Sequence, residues 1–165
     1  MTGSTWPSDW HDLTQGIGCE MCTAGRPEVN RYGIRVLRRP NADSYLQRAR
    51  IQRGYTIVIW RGRHITEPTE LSDEEAASYW RDVLDTARAL IAHYRPLKMN
   101  YETLGNSLPH LHTHLVPRYR AADPRPGRPF PLEPQSGAEP DFSPAELDAD
   151  VTALRSLLGH TVPHL

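Results

Sequence analysis

The feature that most constrains this chain is the alternation of His110, His112 and His114 within residues 99–119, MNYETLGNSLPHLHTHLVPRY. In a β-strand successive side chains point to opposite faces. H-x-H-x-H therefore lines three imidazoles in one row and sends Leu111, Thr113 and Leu115 the other way. A helix would spread the same residues by about 100° per step, and Pro109 and Pro117 argue against helix too. The stretch reads as a strand of about seven residues carrying a reactive edge.

The remaining sequence supplies elements to support such a strand. Residues 31–37 alternate around Tyr32, Ile34 and Val36, the pattern of a half-exposed strand. Pro40-Asn41-Ala42-Asp43 reads as a turn, and residues 46–53 as a short helix or an irregular connection. Residues 55–60, YTIVIW, are β-branched and aromatic throughout, the strongest strand signal present. Arg61-Gly62-Arg63 then delivers His64 to the end of that strand. Ser72 and Glu75 form a capping box that opens a long helix, with Ala76, Trp80, Val83, Leu84, Ala87, Leu90 and Ile91 as its apolar stripe. Pro96 ends it, residues 97–101 form a short strand, and residues 104–107 a turn. Eight of the fifteen prolines lie between Pro117 and Pro144, which excludes helix there and predicts an extended surface segment. Ser143-Pro144-Ala145-Glu146 repeats the capping logic and predicts a terminal helix to about Leu158.

With 165 residues, 38% of them hydrophobic and 24% charged, the chain is long enough and apolar enough for one soluble globular domain. Residues 1–18 read as an irregular arm anchored by Trp6 and Trp10. A proline-rich segment spans 120–142 and a packed helix 143–165. No apolar run approaches 18 residues, and the N-terminus lacks a basic-then-apolar signal, so a cytoplasmic protein without a membrane partner is expected. A net charge of -1 gives no reason to expect a stable nucleic-acid partner. Ten arginines between Arg26 and Arg63 nevertheless face only Glu28 and Asp43. Such a stretch suits either a phosphorylated ligand or a solvated face.

Cys19 and Cys22 are the only cysteines, spaced C-x-x-C. Without an export signal this spacing favours metal or redox chemistry over a structural disulfide. The turn-rich residues that follow are unlike a redox helix, which leaves a zinc site, with a pair of small buried residues as the alternative. Zinc takes four sulfur and nitrogen ligands in a tetrahedron, and His64 and His110 are best placed to complete the set. His112 and His114 then remain free. A neutral imidazole is a good nucleophile near neutral pH. The preceding Gly105-Asn106-Ser107 turn can offer N–H groups and a hydroxyl to phosphate oxygens, or serve simply as a turn.

Taken together, His110-Leu111-His112-Thr113-His114-Leu115-Val116, preceded by Asn100 and Gly105-Asn106-Ser107 and followed by Pro117-Arg118, resembles the signature of the histidine-triad family of nucleotide hydrolases and transferases. The resemblance extends to residues 55–59, to Arg63-His64 and to Cys19-x-x-Cys22, covering roughly residues 19–119. It implies an α+β fold with an antiparallel sheet, usually paired into a homodimer. It implies further that His112 attacks the α-phosphorus of a nucleotide phosphoramidate or dinucleoside polyphosphate, forming a nucleotidyl-histidine that water hydrolyses. His114 would donate a hydrogen bond to the phosphate or leaving group, while Asn100, Gly105, Asn106 and Ser107 contact or orient the substrate. Cys19, Cys22, His64 and His110 match the ligands of zinc-bearing members, and four protein ligands make that zinc structural.

Several positions depart from the family pattern. Tyr55 stands where many members have histidine, and Gln47 where an acidic residue holds the ribose. The loop from Trp60 to His64 is one residue longer than usual. Thr113 replaces an apolar residue, and His114, where the transferase branch has glutamine, favours hydrolysis. Arg118 and Arg120 are candidates for phosphate contact or for solvated charge. Two other function classes fit the same residues: a cupin-like metalloenzyme that adds Glu102 to the histidines, and a non-catalytic nucleotide-binding module.

Overall fold

A computed structural model describes residues 6–48, 52–121, 123, 125–131 and 143–159. Its centre is one sheet of six strands: β1 (Val29–Asn30), β2 (Gly33–Arg38), β3 (Ala42–Leu46), β4 (Thr56–Trp60), β5 (Lys98–Glu102) and β6 (His112–Arg118). They lie in the order β1-β2-β3-β4-β6-β5, every neighbouring pair antiparallel. Two short helices precede the sheet, α1 (Trp10–Thr14) and α2 (Glu20–Thr23). Two longer ones cover it, α3 (Asp73–Tyr94) and α4 (Pro144–Gly159). The architecture is the α+β, antiparallel arrangement expected.

Strand β3 is the correction. Pro40 and Asn41 do turn the chain, but residues 42–46 continue as a buried strand between β2 and β4 rather than as part of a turn and connection. Its sequence, ADSYL, hides this, because two of its five residues are polar and find their partners far away in the chain. Asp43 is clamped by Arg26 and Arg61, and the Ser44 hydroxyl pairs with Thr86 at 2.7 Å. Gly33 opens β2 with φ +131°, where a Cβ would stand 2.0 Å from the Leu46 carbonyl oxygen, so only glycine allows the two strands to close.

Helix α3 begins as its sequence predicts. Ser72 accepts from the Glu75 N–H while the Glu75 side chain reaches back to the Ser72 N–H, and Arg95, left-handed at φ 48°, ends the helix before Pro96. Its buried face is rotated from the predicted stripe. Tyr79, Val83, Ala87 and Leu90 are buried, but Leu84 and Ile91 are exposed, and Asp82, Asp85 and Thr86 take buried places. The rotation follows from two neighbours: α3 packs on the sheet and also against α4. Helix α4 seats Val151, Leu154 and Leu158 in the core. Its Asp150 receives His93 Nε2 at 2.7 Å, Tyr94 O–H at 2.9 Å and Arg53 at 3.3 Å, latching the helix down. Each large apolar side chain so buried stabilises the fold by about 1.5–3 kcal/mol.

The sheet therefore has two unequal faces. The main core lies under α3 and α4. The opposite face carries His112 and His114 beside a smaller apolar cluster that includes Met21, Tyr45, Ile57, Val116 and Phe130. At the N-terminus the arm is partly helical. Leu13 is its buried anchor, while Trp6 is exposed and pairs edge-on with Trp10. Of the proline-rich segment, residues 132–142 lie outside the described residues. The part next to β6 is held by Arg118, as described below.

Candidate functional site

At the end of β4 the loop through Arg61 and Arg63 brings His64 toward the start of α2, where Cys19 is the N-cap and Cys22 lies one turn on. Among the described residues Cys19, Cys22, His64 and His110 are the one such group, with their four ligand atoms all within 4.8 Å of one another. Cys19 Sγ lies 3.5 Å from His110 Nδ1, and Cys22 Sγ lies 3.4 Å from that nitrogen and 3.3 Å from His64 Nδ1. A tetrahedral zinc with bonds of about 2.3 Å to sulfur and about 2.05 Å to nitrogen would hold S and N roughly 3.6 Å apart. The three S–N distances match that spacing, and the donor set of two thiols and two imidazoles suits the ion.

The tautomers agree with ligation. His110 Nε2–H donates to the Trp60 carbonyl at 2.9 Å, which leaves its Nδ1 lone pair facing the thiols. Burial lowers the pKa of His110 to about 4, so the ring is neutral at pH 7. Burial and the neighbouring Cys19 push the Cys22 thiol up to about 11, a cost that a divalent cation reverses. Arg61 supports the cysteine turn from behind: its Nη1 donates to the Met21 carbonyl at 2.6 Å while its Nε donates to Asp43 at 2.8 Å. Neither Asp43 nor Arg61 carries any sequence signal for this task beyond lying near the cysteines in space.

The row of three histidines is broken at its first member. Strand β6 begins at His112, because Leu111 uses its N–H and C=O on Ile65 and Trp60 and so turns His110 toward the cysteines. His112 Nδ1–H donates to the His110 carbonyl at 2.6 Å. Its Nε2 therefore carries the lone pair and has no protein partner among the described residues. The His114 ring lies 4.7 Å from that of His112, and its Nδ1 is 2.6 Å from the Tyr55 hydroxyl. Burial lowers both pKa values, that of His114 to about 3 with His112 as a second cause, so both rings are neutral at pH 7.

The other sequence-predicted residues are placed less uniformly. Asn100 lies on β5 across from Val116, and its Oδ1 accepts from Arg118 Nη1 at 2.7 Å. Gly105 is buried in a left-handed conformation at φ +76°, while Asn106 and Ser107 are exposed in the turn and make no bond to His112 among the described residues. Gln47 donates to the Tyr32 carbonyl. Arg118 is neither a free phosphate contact nor a solvated charge. It is buried, pairs with Asp123, donates to the carbonyls of Arg125 and Arg128, and lies over the Phe130 ring. Among the described residues of the run 26–63, Arg26 and Arg61 pair with Asp43, Arg31 with Glu20, Arg39 with Asp82, Arg53 with Asp150, and Arg63 with Glu75. Much of that basic run thus holds the fold together. Glu102, directly across from His114, keeps a buried Oε1 without a hydrogen-bond partner among the described residues.

An antiparallel sheet that carries His112 and His114 on the face away from the long covering helix is the architecture of the histidine-triad class. The HIT domain family matches residues 33–121, and the chain belongs to this family. It is 33% identical over 85 residues to Protein hit of Bacillus subtilis (strain 168), a match covering 48% of this chain and 58% of that relative. The chain thus spans little more than half the length of that curated relative. Two crystal structures share its fold at lower identity. A hypothetical histidine triad nucleotide-binding protein from Sulfolobus tokodaii strain 7 is 16% identical with a TM-score of 0.62, over 86% of this chain and 92% of that one. A Zn-bound histidine triad family protein from Mycobacterium smegmatis is 20% identical with a TM-score of 0.56, over 87% and 92%. No helix among the described residues is long and apolar enough to cross a membrane.

Proposed function

We propose that this chain is a nucleotide hydrolase that acts at the α-phosphorus of nucleotide phosphoramidates or dinucleoside polyphosphates, with His112 as its nucleophile. One observation carries the reading: the His110 carbonyl holds the proton on His112 Nδ1, so Nε2 presents a lone pair next to His114. Attack forms an Nε2–P bond and breaks the bond from phosphorus to the leaving oxygen or nitrogen, which departs with its electron pair and takes up a proton. The Nδ1–H bond to the His110 carbonyl stabilises the positive charge on the phosphorylated ring. Water then adds to phosphorus, the P–N bond breaks, and nucleoside monophosphate and one proton leave.

Cys19, Cys22, His64 and His110 hold a zinc ion in this reading. With four protein ligands the ion supplies rigidity, fixing His110 and through its carbonyl the ring of His112. Gly105, Asn106 and Ser107 offer backbone and hydroxyl donors to the phosphate, and His114 donates to the phosphate or leaving group. The family relationship and the edge position of β5, which carries exposed Tyr101 and is flanked by exposed Leu97 and Leu104, support a homodimer.

Rapid-quench mass spectrometry tests the core of the proposal. A nucleotidyl adduct should appear on His112 within one turnover. His112→Ala should abolish both adduct and turnover while retaining one zinc per chain and the same far-UV spectrum. Near-normal hydrolysis by that variant refutes the mechanism, and loss of metal with it favours a metal site built from the histidine row. Tight nucleotide binding by the wild type without an adduct favours a binding module.

A further inference from the structure

We propose that Tyr55 is a positioning residue that fixes the tautomer of His114, so that the two neighbouring imidazoles of β6 are held in opposite protonation patterns. The inference rests on the assignment of His112 as nucleophile for its catalytic consequence, although the tautomer itself is independent of it. The Tyr55 hydroxyl is buried, and among the described residues its one hydrogen bond is to His114 Nδ1, at 2.6 Å. Such a pair needs one donor and one acceptor. Burial, reinforced by the Glu102 carboxyl, keeps the phenol protonated. If the phenol donates, Nδ1 accepts and the neutral ring carries its proton on Nε2. If Nδ1–H donated instead, the phenolic proton would be buried with no acceptor within hydrogen-bond distance among the described residues. The first arrangement is therefore strongly preferred.

His112, two residues earlier on the same face, is locked the other way. There a backbone carbonyl can only accept, so the proton sits on Nδ1 and the lone pair on Nε2. Chemically identical side chains are thus made into a nucleophile and a donor by one carbonyl and one phenol. The Tyr55 and His114 rings lie 5.8 Å apart and only 23° from parallel, which also restrains the orientation of the donor ring. An imidazole at position 55 could donate or accept through either nitrogen and would leave the choice open. Tyr55 thus belongs to the third histidine of the row, and its departure from the family pattern bears on proton placement.

The test is nitrogen NMR of the imidazoles in zinc-loaded protein, with the His114 signals assigned by their loss in His114→Asn. Wild type should show His114 protonated on Nε2 and His112 on Nδ1. Tyr55→Phe, which keeps the ring and removes the hydroxyl, should give a mixture of His114 tautomers. Its kcat on a nucleoside phosphoramidate should fall in proportion to the His114 population that loses its Nε2 proton, about 2- to 5-fold, with KM changed less than about twofold. Wild-type His114 protonated on Nδ1 overturns the proposal, as does a pure Nε2–H tautomer or an unchanged kcat in Tyr55→Phe. The wild-type spectrum decides the tautomer even where that variant fails to fold. The expected tautomers without any adduct on His112 support the lock and overturn the hydrolase reading instead.

Discussion

Replacing Asp43 with alanine should uncouple the cysteine turn from the sheet. The Asp43 carboxylate is fully buried on β3, accepting Arg26 Nε at 2.8 Å, Arg26 Nη2 at 2.6 Å and Arg61 Nε at 2.8 Å. Removing one partner of a buried ion pair costs about 3–5 kcal/mol, because the other charge is left uncompensated. Arg26 is 27% exposed at its side chain and also bonds the Arg39 and Ala42 carbonyls, so it can turn toward water. Arg61, at 6%, cannot. One stranded guanidinium places the loss near the low end, about 3 kcal/mol, a large part of the 5–15 kcal/mol typical of a domain. At a urea dependence of about 1–3 kcal/mol per molar, the midpoint should fall by about 1–3 M. Tryptophan fluorescence follows unfolding through buried Trp60, and a chromogenic chelator follows zinc. Zinc should be released more readily, because Arg61 loses the anchor from which it holds the Met21 carbonyl. Combining Asp43→Leu, Arg26→Met and Arg61→Met should restore most of the stability, since apolar replacement of a buried ion pair is often neutral, yet leave zinc loosely held. A midpoint shift below about 0.3 M with zinc fully retained would refute both the energetic and the positioning argument.

The other predictions concern separate parts of the molecule. Burial raises the Asp82 carboxyl from 3.8 to about 6, so ionising it opposes folding: stability is full below the unfolded pKa and falls as pH rises through about 6, by at most ~3 kcal/mol. Asp82→Asn should therefore unfold at higher urea than wild type at pH 8 and at similar urea at pH 4; equal midpoints at pH 8 would count against it. Leu154→Ala removes a fully buried anchor of α4 and should cost about 2–5 kcal/mol without altering zinc content, an expectation lost if the denaturation midpoint barely moves. Gly16→Ala would put a Cβ 3.0 Å from His64 Cγ in a backbone at φ +81°. It should cost about 1–2 kcal/mol of strain and weaken zinc binding measurably in chelator competition. Unaltered zinc affinity would show that His64 tolerates the intrusion.

What could be read from the sequence, and what could not, divides along the range of each interaction. The histidine strand, β4 and the start of α3 were legible because their signals are local: period-two alternation, a β-branched run and the Ser72–Glu75 box all lie within one element. Cys19, Cys22, His64 and His110 could be grouped because the coordination chemistry of zinc selects few residue types, even across 92 positions of chain. Strand β3 was not legible because what permits its polar residues to be buried is remote. Asp43 needs Arg26 and Arg61, Ser44 needs Thr86, and no window of five residues contains those partners. The misplaced stripe of α3 has the same origin: a helix read alone predicts one apolar face, whereas contact with both the sheet and α4 rotates the buried surface toward Asp82, Asp85 and Thr86.

The alternating histidines show how such remote partners assign function. By periodicity the three rings are equivalent, and nothing between residues 110 and 114 distinguishes them. The Trp60 carbonyl turns the proton of His110 away from the cysteines, the His110 carbonyl takes that of His112, and the Tyr55 hydroxyl faces Nδ1 of His114. Each ring is thus defined by a single hydrogen bond. Two of the three partners come from β4 and its preceding residue, which β6 meets in the antiparallel register Ile59 with His112 and Ile57 with His114. A shift of that register by one residue would turn His112 and His114 onto the helix-covered face and remove Tyr55 from reach. Register between β4 and β6 is therefore the fold-level property on which the proposed chemistry depends.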